Sequence, residues 1–339
     1  MIAALPVTLT QGRDLVDPAL RAAIGRLDPT SRQVAAYHFG WVEADGRDAT
    51  GSGGGKALRP ALALLSARAA GADAVTGVPG AVAVELVHNF SLLHDDLMDG
   101  DVQRRHRATV WAVWGASTAI LVGDAMLALA QQVLVELDGM AGTASARLLA
   151  AATQELIRGQ VDDLAFERRA VVSVEECLAM AAGKTGALLG CSAAIGAVLN
   201  GAPAPMVEAL TAYGDELGLA FQLVDDLLGI WGDGASTGKP VGSDLRARKK
   251  SLPVSFAVAA GGAASVELAE WLATSAPDTD DEVAHASSLV EAAGGREWAR
   301  AEAQRRLASA EKALATTDIA TTVRDEFVEL ARFVTTRES

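Results

Sequence analysis

Along most of the chain, apolar residues recur every three or four positions, and short polar, glycine-rich breaks interrupt the pattern. That spacing predicts amphipathic helices. Helices are expected over about 17–42, from about residue 56, and over about 81–100. Further ones are expected over about 110–138, 143–168, 174–199, 204–231, 252–274, 280–293 and 296–333. Pro60 is tolerable only in the first turn of its helix. Residues 1–15 read as a loose N-terminus. Residues 43–55, 71–79, 101–107, 232–250 and 277–282 read as turns or polar loops. No βαβ alternation and no repeat of solenoid length is visible. The expectation is a single all-α domain over residues 16–339, built of long helices.

Composition supports this picture. Half of the 339 residues are hydrophobic but only 4% are aromatic, which suits a helical core better than a β-sandwich. The net charge of −14 argues against any general affinity for nucleic acid or anionic lipid. An anionic substrate would have to be held by local positive charge against that field. The two cysteines, Cys177 and Cys191, suit a reducing compartment without a disulfide framework. The N-terminus lacks the basic and long apolar regions of a signal peptide. The apolar runs are broken by Gly, Asp or Arg, so no membrane span is expected. The expected location is cytoplasmic.

Two acidic strings stand out, 130 residues apart, each at the end of an apolar helical segment. The first is Asp95-Asp96-Leu97-Met98-Asp99, followed by Asp101. The second is Asp225-Asp226-Leu227-Leu228-Gly229, followed by Asp233. Clustered carboxylates in apolar helices are costly unless a cation offsets them. Magnesium, which takes oxygen ligands and brings phosphate with it, is the expected cation. At ~100° per residue, Asp95 and Asp99 share one helix face and His88 returns close to it. An acidic helix terminus in solvent is the plainer alternative, but negative charge is unfavourable at a helix C-terminus. Gln222 lies three and four residues before Asp225 and Asp226. Gly229 occupies the position where a third carboxylate would share the Asp225 face.

Basic residues follow each acidic string. Arg104 and Arg105 follow the first; Lys239, Arg246, Arg248, Lys249 and Lys250 follow the second. Lys56 and Arg59 open a helix after the glycine-rich loop, where free N–H groups also favour phosphate. Lys184 and Thr185 sit in a third apolar segment. Singly, each cluster reads as a solvated patch; the order acid then base, repeated, points to anion binding. Ala182-Gly183-Lys184-Thr185 resembles the tail of a P-loop, but Leu178 stands where that loop needs Gly and no strand precedes it. His38, His94, His106 and His285 show no zinc spacing and read as structural.

With its motifs in order, the chain resembles the trans-isoprenyl diphosphate synthases. The motifs are GGGKALRP, HNFSLLHDDLMDGDVQRRHRAT, GKTGALLG, FQLVDDLLGIWGD and TGKPVGSDLRARKKSLP, spanning roughly residues 53–253. The resemblance implies the isoprenoid synthase fold, an antiparallel helix bundle around a central cavity, and a homodimer. It also implies a reaction. An allylic diphosphate bound between the two acidic helices, through about three Mg²⁺ ions, ionises. Its cation is attacked by isopentenyl diphosphate, and a proton is lost to diphosphate.

By the same resemblance Asp95, Asp96, Asp99 and Asp225 are metal ligands, with Asp226 beside them. Arg104, Lys184, Lys239 and Lys249 hold the allylic diphosphate, and Thr185 and Gln222 line its tail near the reacting carbon. Lys56, Arg59, His88 and Arg105 hold isopentenyl diphosphate. Asp95, Asp96, Lys184, Asp225 and Lys239 carry the catalysis. Gly229 departs from the family, whose second string ends in Asp; activity is expected to survive, with Asp233 as a partial substitute.

Phe90 and Ser91, five and four residues before Asp95, are expected to set product length. The large residue at the fifth position, with two residues between the Asp pair and Asp99, resembles synthases of the twenty-carbon product. The expectation is therefore geranylgeranyl diphosphate, with farnesyl diphosphate as the alternative. Two readings of other classes remain. One is a class I terpene cyclase, which leaves Lys56, Arg59, His88 and Arg105 unexplained. The other is a non-catalytic partner subunit, which Gly229 favours and the intact first string opposes.

Overall fold

A computed structural model describes residues 6–49, 57–232, 241–274 and 279–335, and the described chain is almost wholly helical. Helix α1 (Val7–Ile24) begins well before the position expected from the sequence. Leu9, Val16, Leu20, Ala23 and Ile24 form its buried stripe, so residues 7–15 are tied down rather than loose. The helix expected over 17–42 is in fact two. Asp28 ends the break, accepting from Thr30 N and Ser31 N to cap α2 (Pro29–His38). Residues 39–49 then form a loop closed by a bridge between Val42 and Asp48. Of the glycine-rich loop beyond it, residues 50–56 lie outside the described residues.

Helix α3 (Leu58–Ala69), a 3₁₀ turn (Ala74–Gly77) and α4 (Val78–Met98) follow. Where the sequence suggested only a polar stretch, a small hairpin pairs β1 (Gln103–Arg104) with β2 (Arg107–Ala108). Gly115, at φ +84°, separates α5 (Val110–Trp114) from α6 (Ala116–Val135). Next come α7 (Met140–Glu167) and α8 (Val174–Ala181). One π-helical turn (Ala182–Gly186) joins α8 to α9 (Ala187–Leu199), and α10 (Ala204–Trp231) follows. The remaining elements are α11 (Ser243–Arg246), α12 (Leu252–Ala259), α13 (Ala263–Leu272), α14 (Asp280–Ala292), α15 (Gly295–Leu314) and α16 (Thr321–Thr335). The pair α12 and α13 replaces a single expected helix, split at Gly261 and Gly262, both at positive φ.

The helices group into two compact units, each assembled from separate stretches of chain. In the first (residues 1–153, 191–211 and 317–330), α4 is central and packs against α1, α3 and α6. Leu62, Leu65, Leu86, Leu93 and Met126 are fully buried there, each removal from water contributing about 1.5–3 kcal/mol. Two polar ties fix the register of this core. Ser66 Oγ accepts from Gly196 N at 2.9 Å, and Arg68 forks onto Glu326 at 2.7 and 2.8 Å.

In the second unit (residues 154–190, 212–316 and 331–339), Phe166, Cys177, Leu219, Leu223, Leu227 and Leu252 form one apolar cluster. Ile230, Leu245, Val254, Val283 and Leu289 form another. Inter-helix spacing here is set by glycine. A methyl group on Gly159 would overlap Lys184 N and lie 2.8 Å from its Cα, so α7 and the π turn touch backbone to backbone.

The length of the apolar runs, though not the expectation built on it, needs correcting. Two helices, Ala116–Val135 and Val174–Leu199, are long and apolar enough to cross a membrane by length and composition. Gly123 in the first, and Gly183, Gly186, Gly190 and Gly196 in the second, do not break the helix, so these apolar runs are longer than they read. The second is 72% buried within the protein, as a core helix is; the first is 39% buried, with one face on α4.

Candidate active site

The first acidic string ends α4. Asp95 is half-buried and Asp99, the C-cap residue, is exposed; both lie on one face, one turn apart. Asp96 is only 2% exposed. Its Oδ1 accepts from Arg104 Nε at 2.7 Å, while its Oδ2 is buried without a partner. Burial pushes Asp96 up to about 6 against the pull of Arg104. A buried carboxylate oxygen with no donor is costly unless a cation lies beside it, so this atom fits a metal ligand.

Arg104 is delivered by the hairpin. Arg105 and His106 form its two-residue turn with both φ positive (+51° and +62°), the geometry that matches the twist of paired strands. Neither is glycine, so the turn is strained. The hairpin is sewn to the end of α4: Asp101 N donates to Asp96 O at 2.9 Å, and Asp101 O accepts from Thr109 Oγ1 and Trp111 Nε1, each at 2.8 Å.

A turn and a half to three turns earlier on α4, His88, Glu85 and Asn89 meet Arg59 of α3 and His38 of α2. Asn89 Nδ2 donates to Glu85 Oε1 at 2.9 Å. Burial lowers Arg59 to about 10, with Glu85 opposing the shift. Burial, then Arg105 and Arg104, lowers His38 to about 3, and His88 is lowered by burial and by Arg59. Both imidazoles are thus neutral donor–acceptors among cations. Glu85 and Asn89 were not singled out in the sequence, where their i,i+4 spacing was the available signal, and His38 read there only as structural. Lys56 lies outside the described residues.

The second unit holds another polar chain. Thr185 Oγ1 donates to Gln222 Oε1 at 2.8 Å, and Gln222 Nε2 to Asp226 Oδ1 at 2.8 Å. Asp226 Oδ2 accepts from Leu252 N at 2.8 Å. Asp226 is therefore committed to the fold, and burial followed by Asp244 raises it to about 7. Asp225, the residue before it on α10, is exposed. The π turn sets Lys184, and its Nζ donates to Asp163 Oδ2 at 2.6 Å. Asp163 was not singled out by sequence. Nor was Gln160, whose amide is buried with neither atom partnered. Lys249 is exposed just after Arg248, which has φ +52° and stacks 3.4 Å from the Trp271 ring centroid. Lys239 and Asp233 lie outside the described residues.

Phe90 is buried and meets His94 edge-on, ring centroids 5.3 Å apart; Ser91 Oγ donates to His88 O at 2.8 Å. Among the described residues, no three His, Cys, Asp or Glu side chains converge on a preformed metal cage. Magnesium usually takes one or two carboxylates and completes its shell with water and substrate phosphate. The donor set of Asp95, Asp99 and the unpartnered Asp96 oxygen fits that habit.

Comparison with known proteins agrees with these features. The polyprenyl synthetase family model matches residues 47–290. The chain is 52% identical to a (2E,6E)-farnesyl diphosphate synthase of Mycobacterium tuberculosis over 338 residues, 99% of this chain and 94% of that one. It is 45% identical to a geranylgeranyl diphosphate synthase of the same organism over 307 residues, 90% and 87% of the two chains. The crystal structure of a polyprenyl synthetase from Streptomyces coelicolor A3(2) superimposes with a TM-score of 0.94 at 56% identity, covering 98% and 99%. A geranylgeranyl pyrophosphate synthase from Corynebacterium glutamicum, crystallised with isoprenyl diphosphate and magnesium, gives 0.84 at 26% identity, covering 99% and 100%. The paired acidic strings, the arginine-bearing hairpin and these full-length likenesses place the chain in the polyprenyl synthetase family, as a short-chain trans-prenyltransferase.

Proposed function

We propose that the protein condenses an allylic diphosphate with isopentenyl diphosphate head to tail, and that farnesyl diphosphate is its principal product. This reverses the order expected from Phe90 and Ser91, which put geranylgeranyl diphosphate first. The carrying observation is the 52% identity, over nearly all of both chains, to a farnesyl diphosphate synthase, against 45% to a geranylgeranyl diphosphate synthase. The buried Phe90 ring below Asp95 is consistent with the shorter tail: an aromatic side chain there leaves less room than the aliphatic alternatives.

The residues take the following parts in this reading. Asp95, Asp96, Asp99 and Asp225 hold Mg²⁺, which, when bound, offsets the charge that develops on the leaving diphosphate. Arg104, Lys184, Lys239 and Lys249 grip the allylic diphosphate, the arginine as a fork and the lysines as point charges. The allylic C–O bond breaks and its electron pair leaves with the diphosphate. Thr185 and Gln222, already hydrogen-bonded, line the cation that remains. Lys56, Arg59, His88 and Arg105 hold isopentenyl diphosphate, whose double bond supplies the electrons of the new C–C bond. A proton then passes to the released diphosphate, and the product is five carbons longer. For Lys56 and Lys239 the assignment rests on resemblance alone.

The active form in this reading is a homodimer. The outer face of α6 supports it, carrying Ile120, Leu121 and Val135, each more than 40% exposed. The protein works in the cytoplasm, where its buried thiols, Cys177 raised to about 11 by burial, stay reduced and inert.

The test is product chromatography after dephosphorylation, with each allylic primer, isopentenyl diphosphate and Mg²⁺. A dominant fifteen-carbon alcohol is expected. A dominant twenty-carbon alcohol restores the first expectation, and failure to consume isopentenyl diphosphate sinks the reaction itself.

A further inference from the structure

The hairpin that carries Arg104 and Arg105 cannot hold itself. Each strand is two residues long, and a two-stranded ribbon is marginal in water even when longer. Its turn residues, Arg105 and His106, sit in a left-handed conformation that residues other than glycine take with strain. In register, Arg104 stands directly across from Arg107, and like charges at that spacing repel. The ties to Asp101 fix the base of the ribbon, and Asp96 fixes Arg104. The return strand needs a hold of its own.

That hold comes from α2 and the loop after it. Tyr37, 7% exposed, donates from its hydroxyl to Ala108 O at 2.8 Å. Its ring meets Trp114 of α5 edge-on, centroids 4.9 Å apart. The Arg107 guanidinium carbon lies 4.3 Å from the centroid of the Tyr37 ring, within reach of a cation–π attraction. Arg107 Nη2 also donates to Val42 O at 2.8 Å and to Glu43 Oε2 at 3.2 Å. The opposed arginines therefore each have a carboxylate of their own, Asp96 for Arg104 and Glu43 for Arg107. The Glu43 pair is the weaker grip: Arg107 and Glu43 are 26% and 47% exposed, and solvent screens their attraction. The buried ring and the two backbone carbonyls carry most of the hold. The loop has ties of its own. Glu43 N donates to Arg47 O at 2.7 Å, Trp41 stacks on Phe39 with centroids 4.7 Å apart, and Arg21 covers Trp41 at 4.3 Å.

We propose that Tyr37 and Arg107 are positioning residues, which clamp the hairpin so that Arg104 and Arg105 stand ready before a diphosphate arrives. Neither is among the groups assigned to substrate; each acts through the two arginines. The inference rests on the assignment of Arg104 and Arg105 to the diphosphates above. A guanidinium fork grips phosphate best when its geometry is set beforehand, because ordering it on binding subtracts from affinity.

The test pairs calorimetric binding of inorganic pyrophosphate, with Mg²⁺ present, with hydrogen exchange of the ligand-free full-length protein. Tyr37→Phe removes one hydroxyl, and Ala108 is exposed, so its carbonyl can turn to water. The unfolding temperature should therefore stay within about 2 °C. Amides of residues 103–108 should exchange faster, and pyrophosphate affinity should fall about three- to tenfold, the effect of one lost hydrogen bond. Arg107→Gln should loosen the hairpin further and lose about tenfold or more. Arg107→Lys, which keeps a charge over the ring, should recover part of that loss. In an Arg105→Gln background, Tyr37→Phe should cost less affinity than in the unaltered protein, because one of the groups it places is gone. Unchanged exchange in either Tyr37→Phe or Arg107→Gln overturns the proposal. So does faster exchange with unchanged affinity, or a Tyr37→Phe loss just as large in the Arg105→Gln background. If pyrophosphate binding follows these variants in a protein that leaves isopentenyl diphosphate unconsumed, the clamp stands and the prenyl transfer falls. An unaltered protein that binds no pyrophosphate sinks both.

Discussion

His38 carries a neutral imidazole among arginines, and that has a measurable price in acid. Folded, it stays unprotonated down to about pH 3, whereas an unfolded histidine takes a proton near 6.5. Between those values the unfolded chain binds the extra proton. Acidification therefore favours unfolding, by up to about 1.4 kcal/mol per pH unit from this group. The stability is complete above pH 6.5 and drains away below it. Replacing His38 with Gln removes the titration. In urea unfolding, His38→Gln should gain on the unaltered protein by about 1–2 kcal/mol between pH 7.5 and pH 5.5. Parallel stability curves would show that His38 is not held neutral. Phe90 offers a second single-residue test. It is 5% exposed, so Phe90→Ala should cost about 3–5 kcal/mol, read by thermal unfolding. If its ring is the floor, the same variant should shift products from fifteen to twenty carbons or more; an unaltered product ratio would place the floor elsewhere.

The π turn between α8 and α9 aims Lys184 and Thr185, and its position depends on α7. Gly159 meets Lys184 backbone to backbone, and a methyl group on Gly183 would lie 2.8 Å from Glu155 O. Gly159→Ala should push the π turn away and carry Lys184 off Asp163. The expected result is at least a tenfold lower kcat and about 1–3 kcal/mol less stability, the usual cost of overpacking. A variant with normal kcat would show that the turn is not held by this contact. None of this was legible in the sequence. The helical period marks α7 and the segment 174–199 correctly, but a π turn leaves the apolar pattern almost intact, and a glycine says nothing about which backbone it touches. The same limit explains other differences. The acidic strings and the bases after them were readable because their chemistry is local to a few residues. Glu85 and Asp163 were not, because each matters through a partner 4 to 26 residues away or on another helix. The hairpin at 103–108 escaped because two-residue strands carry no alternation to detect, and Arg105 and His106 stand where turn chemistry would favour Asn and Gly.

The protein as a whole carries −14 charge and is proposed to bind two diphosphates. Its attraction for them must be local, in the cations that follow each acidic string, since beyond about 8–10 Å ordinary salt screens the rest. That acidic surface also bears on self-association, because like-charged copies repel unless a patch of low charge brings them together. The outer face of α6 is such a patch. Ser117, Ile120, Leu121, Ala128 and Val135 recur along it at helical spacing, with Asp124 the one acid among them. Leu121 is 65% exposed, so a polar substitution there should leave an isolated subunit within about 0.5 kcal/mol of its original stability. In a homodimer built on this face the same substitution would bury an unpaired charge in the interface, at a cost of several kcal/mol. Leu121→Glu should therefore lower the mass measured by light scattering from two chains toward one. It should also remove the dependence of the unfolding temperature on protein concentration that dimerisation imposes. A protein that is already monomeric at tens of micromolar before substitution, or a Leu121→Glu variant that stays dimeric, would move the interface off α6 or remove it altogether.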